Sequence, residues 1–165
     1  MAEVRRRSEA KGNLIVTRDN VLEMEDLHDL MVDYLNHGIN NRNLEDEIGA
    51  ISSLTTIASL FGAPGMTLAG VALMIASVIN TFGKYELEKQ AEVIFGGKRA
   101  LKYMRLYLFD KYPNYLALDV NVLFLRYEMT DNSMARFIQG NTLGDPSVVF
   151  TINRIKTPGG WEYLE

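Results

Sequence analysis

The stretch IGAISSLTTIASLFGAPGMTLAGVALMIASVINTFG, Ile48 to Gly83, runs for 36 residues without a formal charge, in a chain that is 23% Asp, Glu, Lys and Arg as a whole. How it is read decides the fold. Gly62, Pro64 and Gly65 interrupt it: proline cannot donate a backbone hydrogen bond and disfavours helical geometry in the residue before it, here Ala63. The spacing therefore predicts two helical arms, Ile48–Phe61 and about Gly65–Phe82, folded as a hydrophobic hairpin over 48–82. Ile48, Ile51, Leu54, Ile57 and Phe61 form an apolar stripe on the first arm, with Ser52, Ser53, Thr55, Thr56 and Ser59 around the rest. The second arm is apolar nearly all round, which a helix tolerates only when enclosed by protein or by lipid.

Two environments fit such arms. A membrane span needs about 20 apolar residues, and runs of 10 to 14 more often pack in a core, so length favours an interior. Small residues four apart point toward close helix packing of the kind found in lipid: Thr55, Ser59 and Ala63, then Gly65 and Ala69, then Ala72, Ala76 and Asn80. In pattern, though not in any motif, the segment resembles the hydrophobic hairpins of pore-forming toxins.

Outward from the hairpin, the flanks carry opposite charge. Asp19, Glu23, Glu25, Asp26, Asp29, Asp33, Glu45, Asp46 and Glu47 precede it, whereas Lys84, Lys89, Lys98, Arg99, Lys102, Arg105 and Lys111 outnumber their acidic neighbours after it. The simplest reading sets an acidic and a basic helix side by side. Asn20 and Glu23 predict a capping box at the head of a first helix, and Gly38 a C′ glycine at its end. Met24, Leu27, Met31, Tyr34 and Leu35 form its buried stripe. Asn43 is expected to cap the next helix. After Gly83 a third helical pattern is expected to kink or split at Gly96-Gly97 and to stop before Pro113.

From residue 116 the period changes to two: Leu118, Val120, Val122 and Phe124 alternate with Asp119 and Asn121, which predicts a strand. Two further strands follow, ARFIQG and VVFTINRI, separated by a turn around Gly144–Pro146. The fold class expected is α+β, with N-terminal helices including the central hairpin followed by a small C-terminal antiparallel meander. One domain over 1–165 is expected, with a basic arm at 1–12, a helical part at 19–112 and strands at 116–165. No apolar h-region follows the basic start, so no secretory signal is expected.

Motifs for catalysis are absent. Cysteine is missing, which removes disulfides, thiolate metal sites and thiol nucleophiles together. His28 and His37 lack the spacing of a helical zinc pair, and His28 is expected on the solvated acidic face. FGGKRA is not a phosphate loop, because Glu92 stands where the first glycine belongs and Arg99 where Ser or Thr is needed. No enzyme activity, cofactor or metal is expected. A net charge of −4 argues against duplex nucleic acid as a partner.

The function expected is that of a membrane-active or membrane-associated protein, pore-forming or bacteriocin-like. Its inserting residues would be Ile51, Leu54, Phe61, Leu68, Val71, Ile75, Ile79 and Phe82. Lys98, Arg99, Lys102, Tyr103, Arg105 and Tyr107 would meet anionic headgroups, since cations interleaved with aromatic rings suit that region. Acidic helix one would shield the hairpin and release it as pH falls. The alternative is a self-assembling structural protein, such as a viral or phage component. There the hairpin is the subunit core, and sheet edges plus the basic arm make the contacts of a homo-oligomer. Localisation stays open between a membrane and a virion.

Overall fold

The computed structural model describes residues 3–140 and 150–164. The elements run β1 (Val4–Thr17), α1 (Asn20–His37), α2 (Leu44–Ile51), α3 (Leu54–Phe61), α4 (Leu68–Thr81), α5 (Lys84–Asp110), β2 (Ala117–Met129), β3 (Met134–Ile138), β4 (Phe150–Thr157) and β5 (Gly160–Tyr163). The α+β class follows directly, with antiparallel strands closing the chain.

The basic arm expected at 1–12 is instead most of β1. This strand pairs antiparallel with β2 from Val4↔Met129 to Thr17↔Ala117, with a bulge between Val4 and Arg6. On its other side β2 carries two strands end to end, β4 along 117–122 and β3 along 124–128. β2 is thus the centre of a five-stranded sheet, and β1 and β5 lie at its ends. Leu118, Val120, Val122 and Phe124 are buried toward the β4 end of β2, and Leu125, Tyr127 and Met129 toward the β3 end. The inward face changes between Phe124 and Leu125, as the coiling of a long two-stranded ribbon allows. The turn expected around Gly144–Pro146 and the start of the third expected strand lie outside the described residues.

α1 obeys its phase, burying Val21, Met24, Leu27, Met31 and Tyr34 completely. Its head differs from a capping box. Asn20 and Thr17 bond each other, the Thr17 N–H donating to Asn20 Oδ1 and the Asn20 N–H to Thr17 Oγ1. Glu23 is left for another helix. Gly38, at φ +80°, ends α1 by donating to the Tyr34 carbonyl at 2.8 Å, as a C′ glycine does. Asn43 accepts from the Asp46 N–H and opens α2.

The first arm of the hairpin is broken once more. Ser52 and Ser53 are extended, and Ser53 caps a separate helix α3 through the Thr56 N–H. Glu23 of α1 reinforces that cap by accepting from the Ser53 N–H and from Thr56 Oγ1. Serine favours a cap because its hydroxyl replaces the missing carbonyl partner of the first turn. Gly62, at φ +70°, ends α3 in the left-handed region.

α5 is unbroken across Gly96-Gly97, at 27 residues about 40 Å long. The expected kink is absent because the glycines answer a tertiary demand. A Cβ at Gly97 would stand 1.7 Å from the Ile138 carbonyl oxygen, and one at Gly140 1.8 Å from the Gly96 carbonyl carbon. The backbone leaving β3 lies directly on the helix there, and the Gly140 N–H donates to the Val93 carbonyl. α1 packs along α5, with Arg105 against Glu25 at 2.7 Å and Lys98 against Asp29 at 2.8 Å. The opposite charges of the two flanks therefore meet across one helix pair. A single hydrophobic cluster joins all five helices to the sheet.

Candidate functional site

The expected inserting residues divide by depth. Phe61, Val71 and Ile75 are fully buried, whereas Leu68, Ile79 and Phe82 are half-buried against the core, Ile51 is half-buried and Leu54 is exposed. Helix phase explains the division: α4 turns Val71, Met74, Ile75 and Val78 inward and leaves Ala69 and Leu73 outward, Leu73 being 59% exposed. Among the described residues no helix is long and apolar enough to cross a membrane. The outer side of α4 is nonetheless uncharged. A groove of about 270 Å³ beside it is lined by Met66, Leu73, Met74 and Met129, and a broader one by Leu44, Ala69, Ala72 and Ala76.

The expected headgroup residues are likewise split. Lys98 and Arg105 turn toward the acids of α1, and Arg99 is half-buried. Tyr107 stacks on Tyr115 at 5.5 Å between ring centres. Lys102 and Tyr103 are exposed, and they share the outer stripe of α5 with Phe95 and Leu106, since positions 95, 99, 102, 103 and 106 fall on one side of a helix. Phe95, Leu73 and Leu106 are not among the expected inserting or headgroup residues, although their helical phase carries the signal.

His28 is buried rather than solvated. Its Nδ1 lies 2.8 Å from the Met24 carbonyl and its Nε2 accepts from the Ile138 N–H at 2.8 Å, which fixes a neutral ring protonated at Nδ1. Burial pushes its pKa down to about 4, against smaller opposing effects of the Met24 carbonyl and Asp29. Phe137 meets the ring edge-on at 5.4 Å. The neighbours Asp26 and Asp29 misdirect a reading by composition, but the phase Met24, Leu27, Met31 places residue 28 inward.

On the open face of the sheet, Asp119 accepts from Asn13 Nδ2, from Asn153 Nδ2 at 3.3 Å and from Arg154 Nε at 2.6 Å. Burial acts to raise its pKa, but these donors outweigh it and hold the carboxyl below the usual carboxylate range. Arg154 in turn lies over the Trp161 ring at 4.3 Å. Each member has its partners, so the cluster joins β1, β2 and β4 and leaves no acid or base poised for catalysis. No group of His, Asp and Glu among the described residues could hold a metal ion.

The remaining feature is an edge. β1 is 14 residues long, and among the described residues no strand pairs with its outer side. Arg5, Arg6, Arg7, Glu9 and Lys11 stand exposed along it. Comparison with known protein families, with curated proteins and with solved structures finds no match.

Proposed function

We propose that the protein is a self-assembling structural subunit, not an enzyme, that associates with a second copy of itself through the outer edge of β1. The observation that carries this reading is the long edge strand in which the expected basic arm and the expected sheet edge coincide. An open edge presents a row of backbone donors and acceptors and is a template for another strand. Opposite charges placed directly across such a pair favour one register and like charges disfavour others. Set antiparallel to its own copy about a twofold axis at Ala10, β1 pairs along its middle, Arg7 opposite Asn13, while nearer the ends Thr81 takes the Val4 N–H and Asn20 takes the Ile15 carbonyl. That register places Glu9 opposite Lys11 twice and no like charges opposite each other, whereas an axis at Ser8 opposes Arg5 to Lys11. Burial of Phe61, Val71 and Ile75 inside the subunit supports the same reading, because these hairpin residues are already occupied.

The test is a charge exchange read by sedimentation. The wild type should form dimers or larger assemblies without lipid. Lys11→Glu and Glu9→Lys should each shift it toward monomer, and the double exchange should restore association. A wild type that stays monomeric at high concentration, or assembly indifferent to Lys11→Glu, overturns the proposal.

The exposed α5 stripe of Phe95, Lys102, Tyr103 and Leu106 favours a second reading, peripheral binding to an anionic membrane. It predicts co-sedimentation with anionic vesicles that Phe95→Ser and Leu106→Ser reduce together.

A further inference from the structure

Two arginines lie directly opposite each other on β2 and β3, Arg126 and Arg136, and Ser8 of β1 opposes Arg126 from the other side. Directly opposed residues hold their Cβ atoms about 5 Å apart, and like charges in that position repel. Arg136 cannot swing away. Its Nε–H donates to the Leu60 carbonyl at 2.6 Å, closing the C-terminal end of α3, and its guanidinium lies 3.9 Å over the centre of the Phe124 ring. Two glycines make room for it: a Cβ at Gly12 would stand 3.3 Å from Nη1 and one at Gly62 3.1 Å from Nη2.

Arg126 has no comparable task. Its Nε points to Met134 Sδ at 3.2 Å, and its Nη2 stands 3.9 Å from Glu128. Arg6 already holds Glu128 at 2.8 Å. Two guanidiniums, of Arg6 and Arg126, thus share one carboxylate, Arg136 has no carboxylate partner among the described ion pairs, and Ser8 Oγ on the same cross-strand row is buried with no hydrogen-bond partner. Burial first, and Arg126 second, depress the Arg136 pKa, which is the electrostatic mark of an uncompensated pair.

We infer that Arg126 and Arg136 form a binding site for a phosphate-class dianion, free or carried as a monoester. The planar forks of two arginines match the oxygens of such a group, and two negative charges neutralise both cations at once. Arg136 is held in place beforehand by Leu60 and Phe124, so little ordering is needed when the anion arrives.

The experiment is thermal unfolding and calorimetric titration with inorganic phosphate, and in a second arm with glycerol phosphate, against chloride at matched ionic strength. The wild type should show a saturable rise in Tm and a measurable heat in at least one arm, and the stronger arm tells a free anion from an ester. Arg126→Gln should weaken binding roughly tenfold or more, as expected for a lost charge-assisted hydrogen bond, with its unloaded Tm no lower than that of the wild type. Arg126→Glu supplies the missing carboxylate internally, so its unloaded Tm should rise and its response to phosphate vanish. No saturable response in either arm, or a response equal in the wild type and in Arg126→Gln, overturns the assignment.

Discussion

β2 holds two partners along the same edge by opposite means. β4 is tied through an ionised pair, Asp119 with Arg154, to which Asn153 adds an amide donor. β3 has no such ion pair: besides Arg136 on the Leu60 carbonyl, it is tied through the uncharged ring of His28 on the Ile138 N–H and a glycine seat on α5. The difference follows from surroundings. Asp119 is itself only 7% exposed, but Arg154, Asn13 and Asn153 direct donors at its carboxylate, and its ionised form is the stable one. His28 is enclosed by α1, β3 and Phe137, where a charge without a counter-ion costs several kcal/mol, so the neutral form prevails.

The comparison breaks most severely at the glycine seat. Gly97→Ala should gain about 1 kcal/mol of helix propensity but lose about 3 kcal/mol or more to overpacking, because the added atom meets backbone that cannot rotate aside. The net loss should appear as a large fall in the urea midpoint, with weakened hydrogen-exchange protection in β3. Exposed glycines elsewhere should not behave this way: a Cβ at Gly83 meets nothing within 4 Å.

Acidification separates the two ties next. A buried group whose folded pKa is about 4, against 6.5 when unfolded, stabilises the fold fully above pH 6.5, and that contribution is lost as pH falls toward 4. The full difference is about 3 kcal/mol. Stability measured between pH 6.5 and 5 should therefore decline in the wild type and decline less in His28→Gln, which lacks the buried ring. A wild-type curve flat over that interval would show that the ring is not held neutral. Asp119 acts in a lower window: its depressed pKa gives stability present above the usual carboxylate pKa and lost below it.

Asp119→Asn should cost about 2 kcal/mol, since Arg154 loses its counter-ion and at least one amide donor loses its acceptor. Because the Arg154 side of this tie is 30% exposed, added salt should partly narrow the gap between Asp119→Asn and the wild type. The same salt should leave the gap between His28→Gln and the wild type unchanged. The smallest effect is expected at Arg126, where Arg126→Gln without phosphate should be neutral or stabilising by about 0.5 kcal/mol.

Much of the fold was legible because local chemistry and tertiary structure agree. Gly38 and Asn43 sit at helix ends for reasons of their own backbones, and Leu118 to Phe124 alternate because that part of β2 has one wet face. The misreadings occur where a distant element decides. Residues 4–12 show no apolar alternation, since an edge strand with solvent on much of its surface does not need it, and only the pairing with β2 makes them a strand. Gly96-Gly97 looks like a hinge in isolation and is a seat because Ile138 and Gly140 come to rest there. Ser52-Ser53 disappears among other hydroxyls, although Glu23 turns it into a helix start. The candidate surfaces followed the same rule: the uncharged run was visible, but which of its side chains point outward depends on what covers them. Arg126 and Arg136, ten positions apart with nothing unusual around either, become a pair only through register.

The way α3 is finished at both ends has a bearing on the order in which the molecule assembles. Its opening turn relies on a carboxylate lent by α1 and its closing carbonyl on a guanidinium lent by β3, while its own eight residues contribute no charge to either terminus. Such a segment has little reason to coil alone, since helices this short rarely persist in water. It should be a late arrival, taking shape after the first helix and the third strand have met, and so a reporter for when the two layers of the molecule close on each other.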